Sequence, residues 1–166
     1  MNRNWPNRWG KIGVSHNPQS EIYAGPFAGS EPEINGLVSY IKSLPGVVAG
    51  ADIHSYGEFI LRNYGWTARP CAHEEVMKRF GDAIADHVNS LYGEEYVSKR
   101  SGELYPAGGA MDDWMYEEGK FVGMTWELRD KGRYGFLLPP DQIVPTGEEL
   151  VEAVLTLAES LSSIGL

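Results

Sequence analysis

The stretch that decides the fold class is Val122-Gly123-Met124-Thr125-Trp126-Glu127-Leu128, in which apolar residues occupy every second position. This period of two predicts a β-strand. The strand carries a carboxylate, Glu127, within its apolar run, and carboxylates are seldom buried unless they are paired or functional. Two interpretations of Glu127 stay open at this point. It forms a structural ion pair with Arg129 or Arg133, or it is a functional group.

Strands and helices alternate along the chain around this stretch. Short apolar runs predict two further strands, over residues 47–54 and 59–61. Apolar residues spaced by three and four positions predict three long helices. These helices run from a Ser30 cap to Pro45, over residues 73–91 and over residues 147–163. The alternation of strands and helices predicts an α/β domain.

The composition is that of a globular protein and excludes several classes of function. The chain has 166 residues, of which 42% are hydrophobic and 22% are charged, so it is long enough to bury a sizeable core. It has no run of about 18 consecutive apolar residues, and no membrane-spanning helix is predicted. The net charge is -9, which disfavours nucleic acid as a partner because that partner needs a basic surface. The single cysteine, Cys71, excludes an internal disulfide.

Two segments carry candidate functional groups. His54 ends the predicted strand 47–54, and ligands of open α/β sheets bind outside the carboxyl ends of the strands. His54 is therefore a candidate metal ligand or general base, with a hydrogen-bonded structural histidine as the alternative. The second segment is a glycine-rich loop that holds Tyr105 and two adjacent acids, Asp112 and Asp113. The alternative here is a surface loop in which one of the two acids caps the next helix.

Taken in chain order, several segments resemble the zinc metallocarboxypeptidases of the carboxypeptidase A/B type. The longest is Thr125-Trp126-Glu127-Leu128-Arg129-Asp130-Lys131-Gly132-Arg133-Tyr134-Gly135-Phe136-Leu137-Leu138-Pro139, which matches a family motif at nearly every position. Shorter matches lie at residues 2–5, 17–25, 53–56 and 105–114. The resemblance implies part of a mixed, mainly parallel sheet with helices on both faces. It also implies that residues 1–166 are the C-terminal portion of a single catalytic domain.

The resemblance also implies roles for residues at the reacting end of the substrate. His54 resembles a zinc ligand of the family. Glu127 resembles the general base and acid, which takes a proton from the zinc-bound water and delivers it to the leaving amine. Asn2 and Arg3 resemble the pair that holds the terminal carboxylate of the substrate, which Arg3 would clamp through two hydrogen bonds.

The remaining implied roles concern the substrate's side chains. Tyr105 resembles the mobile tyrosine that closes over the substrate, and Tyr56 and Phe136 would line neighbouring subsites. Asp112 falls at the base of the specificity pocket, where an aspartate favours Lys or Arg. Gly65 stands where another subgroup of the family places its pocket acid, so Asp112 is the expected acid in this sequence.

The family's other zinc ligands form a His-x-x-Glu motif upstream of the segment that residues 2–5 resemble, and this sequence holds no such motif. A catalytic zinc ion takes three protein ligands. We therefore expect a zinc-dependent metallocarboxypeptidase that removes C-terminal Lys or Arg. We expect the remaining zinc ligands to lie upstream of this sequence. For that reason, we expect no hydrolysis by this chain alone. The expected partners are basic peptide C-termini and the missing N-terminal part of the domain, in an extracellular setting. Two alternatives stay open: a non-catalytic module that binds basic C-termini, and a truncated gene product without activity.

Overall fold

The computed structural model describes residues 1–164, which form five α-helices, one short π-helix, two short 3-10 helices and four strands. The helices are α1 (Pro32–Ser43), α2 (Glu74–Tyr92), α3 (Ser101–Leu104), α4 (Met111–Trp114) and α5 (Ile143–Ser162). The strands are β1 (Ala49–Ser55), β2 (Phe59–Arg62), β3 (Val97–Arg100) and β4 (Val122–Leu128). Within the described range, no helix has the length and apolar character needed to cross a membrane.

The four strands form one mixed sheet in the order β1-β4-β2-β3. β4 therefore lies inside the sheet, between β1 and β2, and Met124 and Trp126 of β4 are fully buried. The last two residues of this strand, Glu127 and Leu128, are only half-buried. This arrangement confirms the predicted strand at residues 122–128 and the predicted combination of a mixed sheet with helices.

The chain divides into two compact units. The first unit comprises residues 1–51, 63–72 and 100–124, and the second comprises residues 52–62, 73–99 and the chain from Thr125 onward. The first unit has an apolar core in which the rings of Trp5 and Trp114 lie 5.0 Å apart. The other buried members of this core are Ile34, Met115 and Phe121.

Asn4 explains why the irregular first 30 residues are ordered. Its buried side-chain amide donates to the carbonyls of Ala24 at 2.6 Å and Phe27 at 2.9 Å. Its carbonyl oxygen accepts the backbone N–H of Glu31 at 3.0 Å. Buried backbone groups need partners, and one asparagine supplies several of them here. Glu31, not Ser30, is the N-cap residue of α1.

A buried ion pair organises the second unit. Arg129 follows β4 directly, and its Nε donates to Oε2 of Glu149 at 2.8 Å. A second guanidinium nitrogen, Nη2, pairs with Oε1 of the same carboxylate. The Tyr96 hydroxyl donates to Oε2 of Glu149 at 3.1 Å, and Gln142 accepts from Nη1 of Arg129 at 2.7 Å. Arg129 therefore pairs with Glu149, and the interpretation in which Arg129 pairs with Glu127 is wrong.

Two sequence-based boundaries also differ from the structure. After the predicted helix over residues 73–91, the structure contains β3 and α3, which no sequence period indicated. The last helix begins at Ile143 rather than at residue 147. Pro145 fits within the first turn of a helix because the N–H groups there have no partner in the helix. Thr146 lies in the same turn, where its hydroxyl donates to the carbonyl of Gln142 at 2.7 Å.

We expect Arg129→Met to lower the free energy of unfolding by about 3–5 kcal/mol, because it leaves the Glu149 carboxylate buried without its cation. The double variant Arg129→Met/Glu149→Leu should recover part of that loss, since no buried charge then remains. Urea unfolding of the wild type, Arg129→Met, Glu149→Leu and the double variant measures the coupling energy between Arg129 and Glu149. Additive losses would contradict this account.

Candidate active site

Each unit holds one group of the candidate residues. The second unit contains His54, Tyr56, Glu127 and Phe136, and the first contains Asn2, Arg3, Tyr105 and Asp112. The two groups are described in turn.

His54 lies near the C-terminal end of β1, and Asp52 precedes it by two residues on the same strand. Side chains two apart on a strand share one face of the sheet. Accordingly, Nε2 of His54 lies 2.9 Å from Oδ2 of Asp52. A carboxylate on one ring nitrogen fixes the orientation of the imidazole, as carboxylates do for many metal-binding histidines. Sequence reasoning missed Asp52, although the period of two along β1 was a usable signal.

Glu127 lies on β4, the strand next to β1. Burial raises the pKa of the Glu127 carboxyl, and the negative charge of Asp52 raises it further, whereas His54 acts in the opposite direction. The net effect is a pKa above the ordinary value of 4.5. A carboxyl with a raised pKa holds and releases a proton nearer to neutral pH, which suits general acid–base catalysis.

His54 fits the role of a zinc ligand, because an imidazole held by a carboxylate is a common donor to this metal. A catalytic zinc ion takes three protein ligands. Among residues 1–164, however, no group of three or more His, Cys, Asp or Glu side chains is placed to hold a metal ion. By themselves, the residues that the structure describes therefore do not fit a catalytic zinc ion.

Tyr56 and Phe136 form an exposed aromatic pair. Their ring centroids lie 5.0 Å apart with an interplanar angle of 76°, an edge-to-face arrangement that aromatic rings favour. Tyr56 is 39% exposed and Phe136 is 79% exposed. The Tyr56 ring packs on Gly135, where a Cβ atom would come within 3.2 Å of Cε1 of the ring. A side chain at this glycine would therefore require the tyrosine ring to shift by a few tenths of an ångström.

In the first unit, Arg3 and Tyr105 come together. The Arg3 guanidinium lies 5.6 Å from the centroid of the Tyr105 ring, a cation–π distance. Nε of Arg3 donates to the carbonyl of Gly13 at 3.1 Å, and Nη1 donates to the carbonyl of Asn2. These contacts hold a guanidinium beside an exposed tyrosine. Their proximity could not be derived from the local sequence, because about a hundred residues separate them.

Asp112 and Asp113 are both buried, with 1% of each residue exposed. The Ser101 hydroxyl donates to Oδ2 of Asp112 at 2.7 Å, and the backbone N–H of Asp113 donates to Oδ1 at 2.8 Å. Asp113 itself accepts the N–H groups of Gly65 and Trp66, each at 3.0 Å. The N-cap residue of α4 is Ala110, so the alternative in which one of the acids caps this helix is wrong.

Burial raises the pKa of Asp113 to about 7, and the neighbouring charge of Asp112 contributes to this shift. Hydrogen bonds from Gly65, Trp66 and the side chain of Asn63 act in the opposite direction. Gly65 also keeps space beside the acids, since a Cβ atom there would lie 3.3 Å from Oδ2 of Asp113. Sequence reasoning singled out the two acids and missed Ser101 and Asn63, which carry no local signal.

Comparison with known proteins gives one consistent result. A family model described as zinc carboxypeptidase matches residues 1–153. Carboxypeptidase A1 of Homo sapiens is 39% identical over 159 residues, which are 95% of this chain and 38% of that protein. Carboxypeptidase B of Canis lupus familiaris is 40% identical over 158 residues, which are 94% of this chain and 38% of that protein. The chain thus spans about two fifths of the length of the curated relatives it matches.

Solved structures agree with these sequence matches. Bovine thrombin-activatable fibrinolysis inhibitor, in complex with tick carboxypeptidase inhibitor, is 32% identical with a TM-score of 0.92, over 98% of this chain and 56% of that chain. Carboxypeptidase A from Helicoverpa armigera is 26% identical with a TM-score of 0.88, over 99% of this chain and 42% of that chain. These matches confirm the predicted fold.

The raised pKa of Asp113 predicts how stability depends on pH. Between the ordinary value of 3.8 and about 7, the folded protein retains a proton that the unfolded chain releases. The free energy of unfolding should therefore fall as the pH rises through this window, by up to about 1.4 kcal/mol per pH unit. Asp113→Asn should flatten this slope. Urea unfolding at pH 5, 6 and 7 measures it.

Asp112→Asn is the matched control for this prediction. It removes the neighbouring negative charge, so the fall in stability should shift to lower pH without disappearing. Other groups with shifted pKa values contribute equally to all three proteins, and the comparison isolates Asp113. An unchanged slope in Asp113→Asn would contradict the assignment.

Proposed function

The chain belongs to the zinc carboxypeptidase family, and we propose that it contributes His54 and Glu127 to a metallocarboxypeptidase that hydrolyses C-terminal peptide bonds. The relatives reported above are carboxypeptidases, and thus hydrolases. One observation carries the proposal. An imidazole oriented by Asp52 and a half-buried glutamate with a raised pKa lie on adjacent strands of the sheet.

In this proposal, Glu127 moves the proton. As the base it accepts a proton from the attacking water, and as the acid it delivers that proton to the departing amine. Its raised pKa favours both steps near neutral pH. Zinc, when bound, would polarise the scissile carbonyl and lower the pKa of a bound water. His54 would be one of its ligands, and the others would come from a segment outside these 166 residues.

We propose that Arg3 and Asp112 bind the C-terminal residue of the substrate. A guanidinium matches a carboxylate through two parallel hydrogen bonds, and Tyr105 lies beside Arg3 to cover the bound group. Asp112 is a buried carboxylate held by Ser101. Direct charge pairing with such a group favours a Lys or Arg side chain. The proposed substrates are therefore peptides and proteins with basic C-termini.

The 166-residue chain alone is proposed to be inactive and to bind zinc weakly. This follows from the incomplete set of metal ligands among the described residues. Its partner would be the remainder of a catalytic domain, because the chain covers only 38% of carboxypeptidase A1 and of carboxypeptidase B. The family resemblance also supports an extracellular location for the whole protein.

A chimera tests the proposed roles. It joins the upstream part of the catalytic domain of canine carboxypeptidase B to these 166 residues. We expect it to release C-terminal Lys and Arg in the presence of zinc, while the chain alone shows no turnover. In the chimera, Glu127→Gln should lower kcat by about 10²–10⁴-fold, because the proton carrier is lost. The exposed Glu118→Gln is the matched control. Full activity of Glu127→Gln, or turnover by the chain alone, would refute the proposal.

Substrate preference is tested in the same chimera with Asp112→Ile. Loss of one partner of a buried charge pair costs about 2–5 kcal/mol, so kcat/KM for Lys-terminated peptides should fall by the corresponding factor. A peptide of the same sequence that ends in Leu serves as the control and should be hydrolysed at least as well as before. Retention of the Lys preference would exclude Asp112 as the specificity residue, and binding of Lys-terminated peptides without hydrolysis would favour a binding module.

A further inference from the structure

The loop at residues 130–137 carries Phe136 but has little apolar burial to hold it. Most of its residues are exposed, including Lys131, Arg133 and Phe136 itself. Two glycines add backbone freedom, at Gly132 and Gly135. Ordering such a segment has an entropic cost of about 1–2 kcal/mol per residue. Apart from the packing of Tyr56 on Gly135 and Phe136, the ordered position of the loop therefore depends on polar contacts.

Asp130 orders the first part of this loop from within. Its carboxylate accepts three backbone N–H groups, from Gly132 at 2.9 Å, Tyr134 at 2.7 Å and Gly135 at 3.1 Å. Burial alone would raise the pKa of Asp130, but these donors together lower it. The loop thus has a defined internal shape. These contacts all lie within the loop, and they do not attach it to the rest of the second unit.

Lys131 makes that attachment. Its Nζ lies 2.6 Å from Oε2 of Glu95, in the connection between α2 and β3, and 3.7 Å from Oε2 of Glu58, in the turn between β1 and β2. Glu58 is buried, and its Oε2 atom has no hydrogen-bond partner in the described part of the chain. The Lys131 ammonium is a cation that faces this buried oxygen. An ion pair with a buried carboxylate is screened less by solvent than an exposed pair.

The turn that holds Glu58 also carries Tyr56. The backbone N–H groups of Gly57 and Glu58 both donate to the carbonyl of Leu128, at 3.1 Å and 3.3 Å, which fixes the turn to the end of β4. Lys131 therefore links the segment that bears Phe136 to the segment that bears Tyr56. These are the two rings of the exposed aromatic pair.

We propose that Lys131 is a positioning residue whose ion pairs with Glu58 and Glu95 hold the Tyr56–Phe136 pair as a preformed apolar surface for the peptide residues that precede the substrate's C-terminal residue. The identity of the ligand rests on the proposed function. A surface fixed in advance binds more tightly because less freedom is lost on binding. A minimal ligand that consists of the C-terminal residue alone lacks the preceding residues that this surface is proposed to bind.

The test compares Lys131→Met with Lys131→Arg in the 166-residue chain. The arginine keeps a cation for both carboxylates, and Lys78→Met, an exposed lysine paired with Asp82, is the matched control. The first measurement is NMR of the nuclear Overhauser effect between the Tyr56 and Phe136 rings, with hydrogen exchange at Gly132 and Gly135. Lys131→Met should lose the ring contact and exchange faster, whereas Lys131→Arg and Lys78→Met should resemble the wild type. An unchanged ring contact in Lys131→Met overturns the proposal.

The second measurement is calorimetry with two ligands. The first is lysine acetylated on its α-amino group (acetyl-lysine below), which keeps the charged side chain. The second is a tetrapeptide with Phe before its C-terminal Lys. Lys131→Met should weaken tetrapeptide binding by about three- to tenfold, the range of one aromatic contact, and leave acetyl-lysine binding unchanged. Equal weakening of both ligands overturns the positioning role, since a merely structural lysine would act in that way. If the wild type binds neither ligand, the proposed ligand class fails, and the NMR measurement alone decides whether Lys131 is the tether.

Discussion

The placement of Glu127 depends on a buried ion pair two residues further along the chain, between Arg129 and Glu149. The guanidinium makes two contacts to one carboxylate that is 1% exposed. Breaking such a pair leaves an uncompensated buried charge, so the end of β4 cannot slip along its neighbours. A slip of one residue would turn Glu127 to the other face of the sheet. The ion pair thus sets the register that keeps Glu127 half-buried beside the strand of His54.

The sequence was most informative where one periodicity dominates. The strand at residues 122–128 was predicted with its observed bounds, because apolar residues alternate without interruption. The last helix was less well predicted. The three- and four-residue spacing places Val151 and Val154 on the apolar side of this helix, yet both are more than half exposed, whereas Glu149 is buried. Periodicity treats a glutamate as a surface residue, and it has no means of finding an arginine twenty positions earlier that draws it inside.

In the candidate site, too, local sequence predicts some features, whereas others depend on residues that are distant along the chain. The position of His54 at the end of a strand follows from local sequence, whereas its carboxylate partner Asp52 was missed, although the period of two along the strand could have indicated it. The contact between Arg3 and Tyr105 does not follow from local sequence, because only the tertiary fold brings these residues together. The resemblance to a known family supplied their roles in advance of the structure. The hydrogen bond from Ser101 to Asp112 could be predicted neither from the local sequence pattern nor from the family resemblance.

Titration of the Glu127 carboxyl by carbon-13 NMR directly measures the electrostatic coupling of Glu127 to His54 and Asp52. The expected pKa lies above the ordinary 4.5. Asp52→Asn should lower it, because a negative neighbour is removed, and His54→Gln should raise it, because a positive one is lost. A Glu127 that titrates at or below 4.5, or that responds to neither substitution, would contradict the account.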